Sequence, residues 1–247
     1  MRRMNRKGSA VDLMVAKISV IIPALNEEKY IKYPITGLKK QSFHDFETIF
    51  VDGHSVDKTV AIASKYARVV TQKKGGVGEA RNYGAKFARG DILVFIDGDT
   101  KPSRNLLTEY ISIFNDTSIV AATGPILPLE NTSKRVRAGY KFTSEIFVRL
   151  TLLIGKPSIV GSNLAVRKSA FNKIGGFNAD LTTYEDWDLS IRLGKLGKIC
   201  YNKNAIVYSS IRRVAKWGMS KYATFHIGNM FRYTLLKKPK SDYAPIR

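Results

Sequence analysis

The chain has 247 residues and a formal net charge of +21, from 41 Lys and Arg against 20 Asp and Glu. Hydrophobic residues make up 44% of it, which excludes a disordered polycation, and its single cysteine excludes a disulfide framework or a multi-cysteine metal site. We therefore expect one folded domain with appendages, in a reducing compartment.

The excess positive charge is confined to three regions. Basic residues outnumber acidic ones by four in residues 1–17, by seven in residues 130–173 and by eight in residues 211–247, whereas the rest of the chain is nearly balanced. Such regions attract nucleic acid, an anionic lipid surface or a phosphorylated substrate, although a solvated basic surface is the simpler alternative. Residues 1–16 lack the apolar core of a signal peptide, so we expect a flexible tail there.

The first hundred residues predict alternating strands and helices. Short apolar runs predict four strands, at 18–22, 48–52, 69–71 and 92–97. Polar stretches with apolar residues at helical spacing predict helices between them, over 27–40 with a kink or restart at Pro34, over 58–66 and over 79–88. This alternation indicates a mostly parallel sheet with helices on its faces, in which ligands bind beyond the carboxyl ends of the strands.

The alternation weakens after residue 100. Ser103 is expected to cap a helix that runs to about residue 115, and a later helix over 185–196 is expected to place Trp187, Ile191 and Leu196 on one side. Further segments are predicted as a strand at 119–123, a basic helical excursion at 130–156, extended chain at 158–166 and a strand at 205–208. Residues 211–247 mix aromatic and basic residues, which predicts basic amphipathic helices packed on, or projecting from, the domain.

Asp97-Gly98-Asp99 follows the fourth predicted strand. Side chains two residues apart leave a strand on the same side, so both carboxylates can face one divalent cation. Taken alone, this tripeptide is more typical of a turn than of a metal site, because Asp-Gly is common turn chemistry.

The surrounding motifs favour the chemical interpretation. In chain order they are Pro23-Ala24-Leu25-Asn26-Glu27-Glu28, Val51-Asp52-Gly53-x-Ser55-x-Asp57-x-Thr59, Gly78-x-Ala80-Arg81-Asn82-x-Gly84, Asp97-Gly98-Asp99, Gly161-Ser162-Asn163, Gly175-Gly176-Phe177 and Glu185-Asp186. In this order and spacing, residues 17–215 resemble the family 2 glycosyltransferases with the GT-A fold. The resemblance implies an α/β fold with a Rossmann-like, mostly parallel mixed sheet, a nucleotide-binding half at 17–100, an acceptor half at 101–215 and a basic helical extension at 216–247.

The resemblance also implies roles for residues at matching positions. A UDP- or GDP-sugar donor would be bound by Pro23, Ala24, Asn26, Glu27, Asp52, Gly53, Ser55, Arg81, Asp97 and Gly98. Asp97 and Asp99 would hold Mn²⁺ or Mg²⁺, which neutralises the leaving diphosphate and removes the need for a general acid. The acceptor would lie near Gly161, Ser162, Asn163, Glu185 and Trp187.

Asp186 would be the general base of an inverting, single-displacement reaction. A base must stay ionised to take the acceptor proton, and the dipole at a helix start stabilises a charged carboxylate in the first turn. The alternative is a capping carboxylate without any catalytic part, since Asp and Glu are favoured at that position in any helix.

One departure from the family pattern concerns the metal. Many relatives carry a histidine after the strand that follows the Glu-Asp helix, whereas this chain continues with Arg212-Arg213. These arginines could bind the diphosphate, or an acceptor phosphate, bidentately and replace part of the metal charge. His226 is too distant in sequence for the role, and His54 could touch the nucleotide or simply lie in an exposed loop.

Two other functions compete. A sugar-phosphate nucleotidylyltransferase would carry a glycine-rich loop directly after the first strand, where Pro23–Asn26 has no glycine. A nucleic-acid-binding module would explain the charge, but strand-end carboxylates would repel phosphates, so no nucleic acid partner is expected. We expect a cytoplasmic enzyme held peripherally on an anionic membrane by the 130–156 excursion and the tail, with a lipid phosphate, a lipid-linked glycan or a soluble sugar as acceptor.

Overall fold

The computed structural model describes residues 18–73 and 75–236, so the tail predicted at 1–16 and the end of the C-terminal extension lie outside the described residues. The described residues form ten strands. They are β1 (Ile18–Ala24), β2 (Phe46–Asp52), β3 (Arg68–Thr71), β4 (Ile92–Phe95), β5 (Thr100–Pro102), β6 (Ile119–Thr123), β7 (Ile126–Pro128), β8 (Leu164–Arg167), β9 (Lys198–Tyr201) and β10 (Val207–Ser209).

Seven strands form the central sheet, in the order β3-β2-β1-β4-β8-β6-β9. The pairs β3–β2, β2–β1, β1–β4 and β6–β9 are parallel, and β8 is antiparallel to both of its neighbours. A second sheet has the order β5-β10-β7. The expectation of a mostly parallel mixed sheet is therefore confirmed.

The described residues also form ten α-helices. They are α1 (Lys32–Leu38), α2 (Thr59–Ala63), α3 (Val77–Phe87), α4 (Leu106–Ile113), α5 (Lys134–Lys141), α6 (Val148–Leu153), α7 (Lys168–Lys173), α8 (Glu185–Gly194), α9 (Arg212–Trp217) and α10 (Met219–Leu236), with a π-helical segment, Phe142–Phe147, joining α5 to α6. Among residues 18–73 and 75–236, no helix combines the length and apolar character needed to cross a membrane.

The core has one layer on each face of the central sheet. Because side chains alternate along a strand, Val20 and Ile22 of β1 pack into one layer, whereas Ile21 packs into the other. Three aromatic rings in contact, Phe95, Phe171 and Phe177, lie in the second layer, with centroids 5.3–5.8 Å apart. Helices cover both faces, as the strand–helix alternation predicts.

Several predicted helix boundaries are wrong. The first helix begins only at Lys32, with Pro34 in its first turn, where a missing N–H breaks no hydrogen bond. Ser103 does not cap α4: Asn105 occupies that position, and Ser103 contributes only its carbonyl, which accepts from the Leu106 N–H. The segment predicted as extended at 158–166 contains a 3₁₀ turn, Gly161–Asn163, before β8 begins.

Trp187 and Ile191 of the predicted 185–196 helix share one side, but that side is not the most buried one. Leu189 and Leu193 are fully buried, whereas Trp187 and Ile191 are half-buried and Leu196 lies beyond the end of α8. Trp187 is turned toward the C-terminal helix, with its ring centroid 6.3 Å from that of Tyr233. The sequence spacing missed this because a second helix covers that side of α8.

Candidate active site

Five chain segments meet at one edge of the central sheet. β1, β2 and β4 are parallel neighbours, so their carboxyl ends share that edge. β8 runs the opposite way and pairs Leu164 with Phe95, which brings the preceding Gly161–Asn163 turn to the same place. β10 pairs Ser209 with Thr100, so the chain after β10 returns beside Asp99. The edge thus collects predicted site residues from distant parts of the chain.

The loops after β1 and β2 brace each other. The Asn26 N–H donates to Ser55 Oγ at 2.9 Å, and Asn26 Oδ1 accepts from the Val56 N–H at 2.8 Å. The Glu27 N–H donates to Thr59 Oγ1 at 2.7 Å, and the Gly53 N–H to the Ala24 carbonyl at 2.9 Å. The side chains of Asn26 and Ser55 therefore hold the loops together, and donor contacts by Pro23, Ala24 and Gly53 stay predictions.

Asp52 is 5% exposed and closes the end of β2. Its Oδ1 accepts from the Ser55 N–H at 3.0 Å and its Oδ2 from the His54 N–H at 3.1 Å. His54 adopts a left-handed backbone, with φ of 70°, and its Nε2 lies 3.0 Å from the Lys73 carbonyl oxygen. The expected contact between Asp52 and a nucleotide base remains a prediction.

Arg81 lies beneath the crevice, because its side chain is only 4% exposed. Nη1 donates to Glu185 Oε1 at 2.9 Å and Nη2 donates to Asp97 Oδ1 at 2.8 Å. This differs from the expectation that Arg81 approaches the nucleotide, since both terminal nitrogens are engaged by carboxylates. Its observed part is to position Asp97, whose side chain is 37% exposed at the crevice.

Glycines make room for this ion-pair network. A Cβ at Gly161 would lie 2.6 Å from the Arg81 guanidinium carbon, and a Cβ at Gly84 would lie 2.6 Å from Ile21 Cγ2. Gly84 lets α3 approach the sheet, and Gly161 lets the turn before β8 cover Arg81. Gly98 similarly allows the loop after β4 to approach Glu27, whose Cγ would lie 3.2 Å from an added Cβ.

Asn82 explains the Gly175-Gly176-Phe177 motif. Asn82 Nδ2 donates to the Phe177 carbonyl at 2.8 Å, and Asn82 Oδ1 accepts from the Phe177 N–H at 2.8 Å. Gly176 has φ of 73°, and a Cβ there would lie 2.4 Å from Asn82 Oδ1. The motif thus holds the Phe177 backbone in place, and the Phe177 ring lies 5.3 Å from the Arg81 guanidinium.

Glu185 and Asp186 begin α8 but have different surroundings. Glu185 is 7% exposed and held by Arg81, whereas Asp186 is half-buried. The Gly161 N–H donates to Asp186 Oδ2 at 3.0 Å and the Trp187 N–H to Asp186 Oδ1 at 2.8 Å. Burial raises the pKa of Glu185 to about 7, aided by Asp186 and opposed by Arg81. Burial also raises the pKa of Asp186, which makes its carboxylate a stronger base.

Arg212 places a positive charge at the crevice. It forms a fork with both carboxylate oxygens of Glu27, and its Nε lies 3.2 Å from Asp99 Oδ2. The Tyr30 ring, 4.6 Å from the guanidinium, backs it. Burial raises the pKa of Asp99 to about 7, and the Arg212 charge opposes that rise. The two arginines do not form a pair, because Arg213 instead lies 5.2 Å from the Trp217 ring.

The predicted metal site has two carboxylate ligands, Asp97 and Asp99. Within the described part of the chain, no three or more His, Cys, Asp or Glu side chains are grouped so as to hold a metal ion. Asp97 and Asp99 still fit Mg²⁺ or Mn²⁺, because both ions prefer oxygen ligands and commonly take the rest from phosphates and water. The contact of Asp99 with Arg212 places a fixed positive charge beside any such ion.

Asn163 does not face the crevice. Its side chain is fully buried, with Nδ2 donating to the Pro125 and Ala205 carbonyls at 3.2 and 2.9 Å and Oδ1 accepting from the Tyr110 hydroxyl at 2.5 Å. A direct contact with the acceptor is therefore excluded in this arrangement, and Asn163 fixes the turn instead. Ser162, at 6% exposure, is also largely enclosed. Acceptor contacts of Gly161 and Trp187 remain predictions.

Helix α10 packs against the start of α8. Tyr184, which has φ of 64°, donates its hydroxyl to the His226 carbonyl, and the Tyr233 hydroxyl donates to Asp188 Oδ1 at 2.7 Å. Asn229 Nδ2 lies 3.5 Å from Thr183 Oγ1. The described part of the C-terminal extension is thus packed on the domain, in line with one of the two alternatives that the sequence left open.

The burial of His226 predicts an acid-sensitive fold. Burial and the nearby Arg213 lower the pKa of His226 to about 4. Since an unfolded histidine titrates near 6.5, the stabilisation is present above pH 6.5 and is lost as the pH falls toward 4. We expect the free energy of unfolding to fall by about 2 kcal/mol more in the native protein than in His226→Gln between pH 7.5 and 4.5.

Urea denaturation at several pH values measures this difference. The exposed His44 supplies the matched control, because His44→Gln should keep the pH dependence of the native protein. If the unfolding free energies of the native protein and His226→Gln change in parallel with pH, the lowered pKa of His226 is contradicted.

Sequence reasoning missed three residues that shape the site. Glu130 accepts from the Ser210 hydroxyl at 2.6 Å and from the Ile211 N–H at 2.9 Å, and so fixes the chain that carries Arg212. Tyr30 backs Arg212, and Tyr110 holds Asn163. Glu130 and Tyr110 are lone residues far from their partners in sequence, so no spacing pattern marks them. Tyr30 follows the Asn26–Glu28 motif closely, and an aromatic residue there was a usable signal.

Comparison with known proteins gives three findings. The model of the family described as "Glycosyl transferase family 2" matches residues 19–175. An uncharacterized glycosyltransferase of Rickettsia conorii is 25% identical over 216 residues, which cover 83% of this chain and 36% of that protein. The chain spans between 27% and 64% of the length of three such curated relatives.

Solved structures are similar in fold. The mannosyltransferase PcManGT from Pyrobaculum calidifontis, in complex with GDP-Man and Mn²⁺, superposes with a TM-score of 0.69 at 18% identity, covering 93% of this chain and 66% of that one. S. aureus TarS in complex with UDP-GlcNAc gives a TM-score of 0.63 at 19% identity, covering 89% of this chain and 73% of that one. At these identities the likeness concerns the fold alone.

Proposed function

Because the chain belongs to glycosyl transferase family 2 and has the GT-A fold, we propose that it transfers a sugar from a nucleotide-diphosphate donor to an acceptor hydroxyl or lipid phosphate. The observation that carries this proposal is the convergence of Asp97, Asp99 and Asp186 on one crevice at the carboxyl edge of the sheet. Ligands bind at this edge in open α/β sheets.

A UDP- or GDP-sugar is the proposed donor. PcManGT was solved with GDP-Man and TarS with UDP-GlcNAc, so the fold accommodates both bases. We assign the nucleotide to the carboxyl edge of the sheet beside the braced loops after β1 and β2, where Asp52 ends β2. The bracing of Asn26 by Ser55 supports this, because a preorganised pocket loses less entropy on binding.

Binding of a nucleotide-sugar tests the function directly. A ligand that binds only the folded state raises its melting temperature, so a thermal-shift screen of UDP- and GDP-sugars with Mn²⁺ or Mg²⁺ should find at least one stabilising donor. Release of free UDP or GDP from that donor should then depend on an added acceptor. A screen in which no nucleotide-sugar shifts the melting temperature would contradict the proposal.

Asp186 is the proposed base. As the acceptor oxygen attacks the anomeric carbon, its proton passes to the Asp186 carboxylate, and the bond from that carbon to the diphosphate breaks, which inverts the centre. The N–H groups of Gly161 and Trp187 aim the carboxylate, and the burial that raises its pKa strengthens it as a base. Glu185 is the weaker candidate, because Arg81 holds it below the surface.

The leaving diphosphate needs positive charge. A divalent ion on Asp97 and Asp99, when bound, would neutralise the diphosphate. We propose that Arg212 shares this task by exchanging its contacts with Glu27 and Asp99 for phosphate oxygens, because its side chain is 19% exposed, against 4% for Arg81, and its planar guanidinium matches phosphate geometry. Arg81 takes no direct part but fixes Asp97.

Calorimetry with UDP and GDP separates the two sources of charge. Asp99→Asn should remove the gain in nucleotide affinity that Mn²⁺ gives, while affinity in EDTA stays within about threefold. Arg212→Met, which keeps the apolar stem, should lower affinity in EDTA by about tenfold, the worth of one charge-assisted contact. Arg213→Met is the matched control, because Arg213 lies over Trp217. Equal affinities for the native protein and Arg212→Met in EDTA would contradict a phosphate contact by Arg212.

Peripheral attachment to an anionic membrane is proposed as the setting of the reaction. The excursion at 130–156 has six basic and two acidic residues, and a basic residue near an anionic bilayer contributes roughly 1 kcal/mol. A lipid-linked acceptor or a lipid phosphate would then be presented at the crevice.

A further inference from the structure

The helical segment from α5 to α6, with the residue that follows it, exposes five of its large apolar side chains. Phe142, Ile146, Leu150, Leu153 and Ile154, here called the apolar stripe, are exposed by 53%, 43%, 52%, 82% and 68%. They follow one another at intervals of three or four residues, apart from the adjacent pair at the end, so they share a helix face. Five large exposed apolar residues so close together along one segment form a group rather than scattered single residues.

The inner face of the same segment holds small and hydroxylated residues. Ser144 and Thr151 are 4% and 6% exposed, beside Val148 at 3%. Ser144 Oγ donates to the Ile126 carbonyl at 3.1 Å, which ties the segment to β7, and Thr151 Oγ1 accepts from the Ser158 N–H at 3.2 Å. The fold therefore holds this segment through the face that carries Ser144, Val148 and Thr151, and the side chains of the apolar stripe are not among the buried core residues.

The charged residues around the apolar stripe indicate which kind of surface it contacts. All six basic residues of the 130–156 excursion are exposed, namely Lys134, Arg135, Arg137, Lys141, Arg149 and Lys156. The two acidic residues, Glu130 and Glu145, are half-buried, and Glu130 is engaged by Ser210 and Ile211. An apolar face edged by positive charge matches an anionic lipid bilayer, where apolar side chains enter the acyl boundary and basic ones contact headgroups. A second copy of a chain with a charge of +21 would be repelled.

We propose that the apolar stripe and its basic edge form a bilayer-docking face, with the stripe inserted between anionic headgroups. The face adjoins the crevice, because Ser144 is bonded to β7, which pairs with β10, and Arg212 follows β10. Docking through it would hold the crevice next to the lipid surface. This last step rests on the proposed transfer to a lipid-borne acceptor, whereas docking itself does not.

Vesicle flotation of the full chain tests the face. On vesicles of phosphatidylcholine with phosphatidylglycerol at low salt, Ile146→Ser/Leu150→Ser/Leu153→Ser should lower the partition coefficient at least about tenfold, since each apolar side chain adds to interfacial binding. Tyr66→Ser is the control, because this exposed aromatic residue lies beside β3 at the opposite edge of the sheet and should leave partition unchanged. Pure phosphatidylcholine should bind the native chain far more weakly.

A second variant separates the contribution of apolar insertion to vesicle binding from the contribution of positive charge. Arg135→Gln/Arg137→Gln/Lys141→Gln should weaken partition and flatten its salt dependence, while the serine variant should keep a salt-dependent remnant. Equal partition of the native chain and the serine variant overturns the proposal, as does partition that ignores lipid charge. So does a native dimer, seen by light scattering, that the serine variant dissociates, because the stripe would then be a self-association surface.

Calorimetry with UDP and GDP on the same proteins keeps the two proposals distinct. Preserved nucleotide affinity in the serine variant shows that it is folded, and a folded variant that floats normally contradicts docking alone. Should the triple variant lose nucleotide affinity, the single variant Leu153→Ser, at the most exposed position, takes its place. A native chain that floats but binds no nucleotide contradicts the proposed function and leaves docking intact.

Discussion

Asp186→Asn should lower the rate of sugar transfer by about 10²–10⁴-fold while leaving donor affinity unchanged. Asparagine keeps the size of the side chain, and its carbonyl oxygen can still accept from the Gly161 N–H, but it cannot take the acceptor proton. Single-turnover transfer with saturating donor measures the chemical step, and calorimetry measures donor affinity separately.

The same helix supplies the control. Asp188 also lies in the first turn of α8, but its carboxylate is bonded to Tyr233 and Arg192, away from the Gly161 turn. Asp188→Asn should therefore keep transfer within several-fold of the native rate. A near-native rate of transfer in Asp186→Asn would contradict the assignment of Asp186 as the base. Asp186 would then serve only to cap α8, because asparagine is itself a good capping residue.

Arg81→Met should destabilise the fold by about 3–5 kcal/mol, the usual cost of leaving a buried charge without its partner. Glu185 is 7% exposed and would lose the only cation bonded to it in the described structure. Glu185→Gln in the Arg81→Met background should recover a substantial part of the loss, since it removes the unpaired charge. Urea denaturation of the two single variants and the double variant gives the coupling energy.

The pH dependence of this cost has a definite sign. Burial already raises the pKa of Glu185 to about 7, and Arg81 opposes that rise, so its removal raises the pKa further. A carboxyl group whose pKa is raised by folding stabilises the protein below its unfolded pKa and loses that effect as the pH rises. The deficit of Arg81→Met should therefore be smaller at pH 5 than at pH 8.

Arg89→Met is the matched control for Arg81. Arg89 also pairs with a glutamate, with Nε 3.0 Å from Glu47 Oε2, but its side chain is 83% exposed. Exposed pairs contribute about 0–1 kcal/mol, so this change should cost little. Similar losses of unfolding free energy in Arg81→Met and Arg89→Met would contradict the structural role assigned to Arg81.

Sequence patterns predicted the parallel half of the sheet well, and the physical reason is its apolar composition. β1, β2 and β4 come from apolar runs bounded by turn residues, which are easily recognised. The strands β5 and β9 mix polar and apolar residues, and β7 has only three residues, so no apolar run marks them. They exist because neighbouring segments supply hydrogen-bond partners, which no local pattern encodes.

The candidate site shows the same division. The motifs predicted which residues gather at the carboxyl edge, but not which of them pair. Arg81 binds Glu185 from 104 residues away, and Arg212 reaches Glu27 from 185 residues away. The family resemblance implied a place near the acceptor for Asn163, although its amide donates to the buried Pro125 and Ala205 carbonyls. Partner choice at such separations depends on the assembled fold.

The packing of α10 against α8 links the C-terminal helix to local unfolding of the crevice. Tyr184 and Asp188 flank Glu185 and Asp186, and both are bonded to α10. Fraying of α10 would release these two anchors and free the first turn of α8, so amide exchange at the two places belongs to one opening event. We therefore expect the order of the carboxylate proposed as the base to depend on a helix that begins more than thirty residues later in the chain.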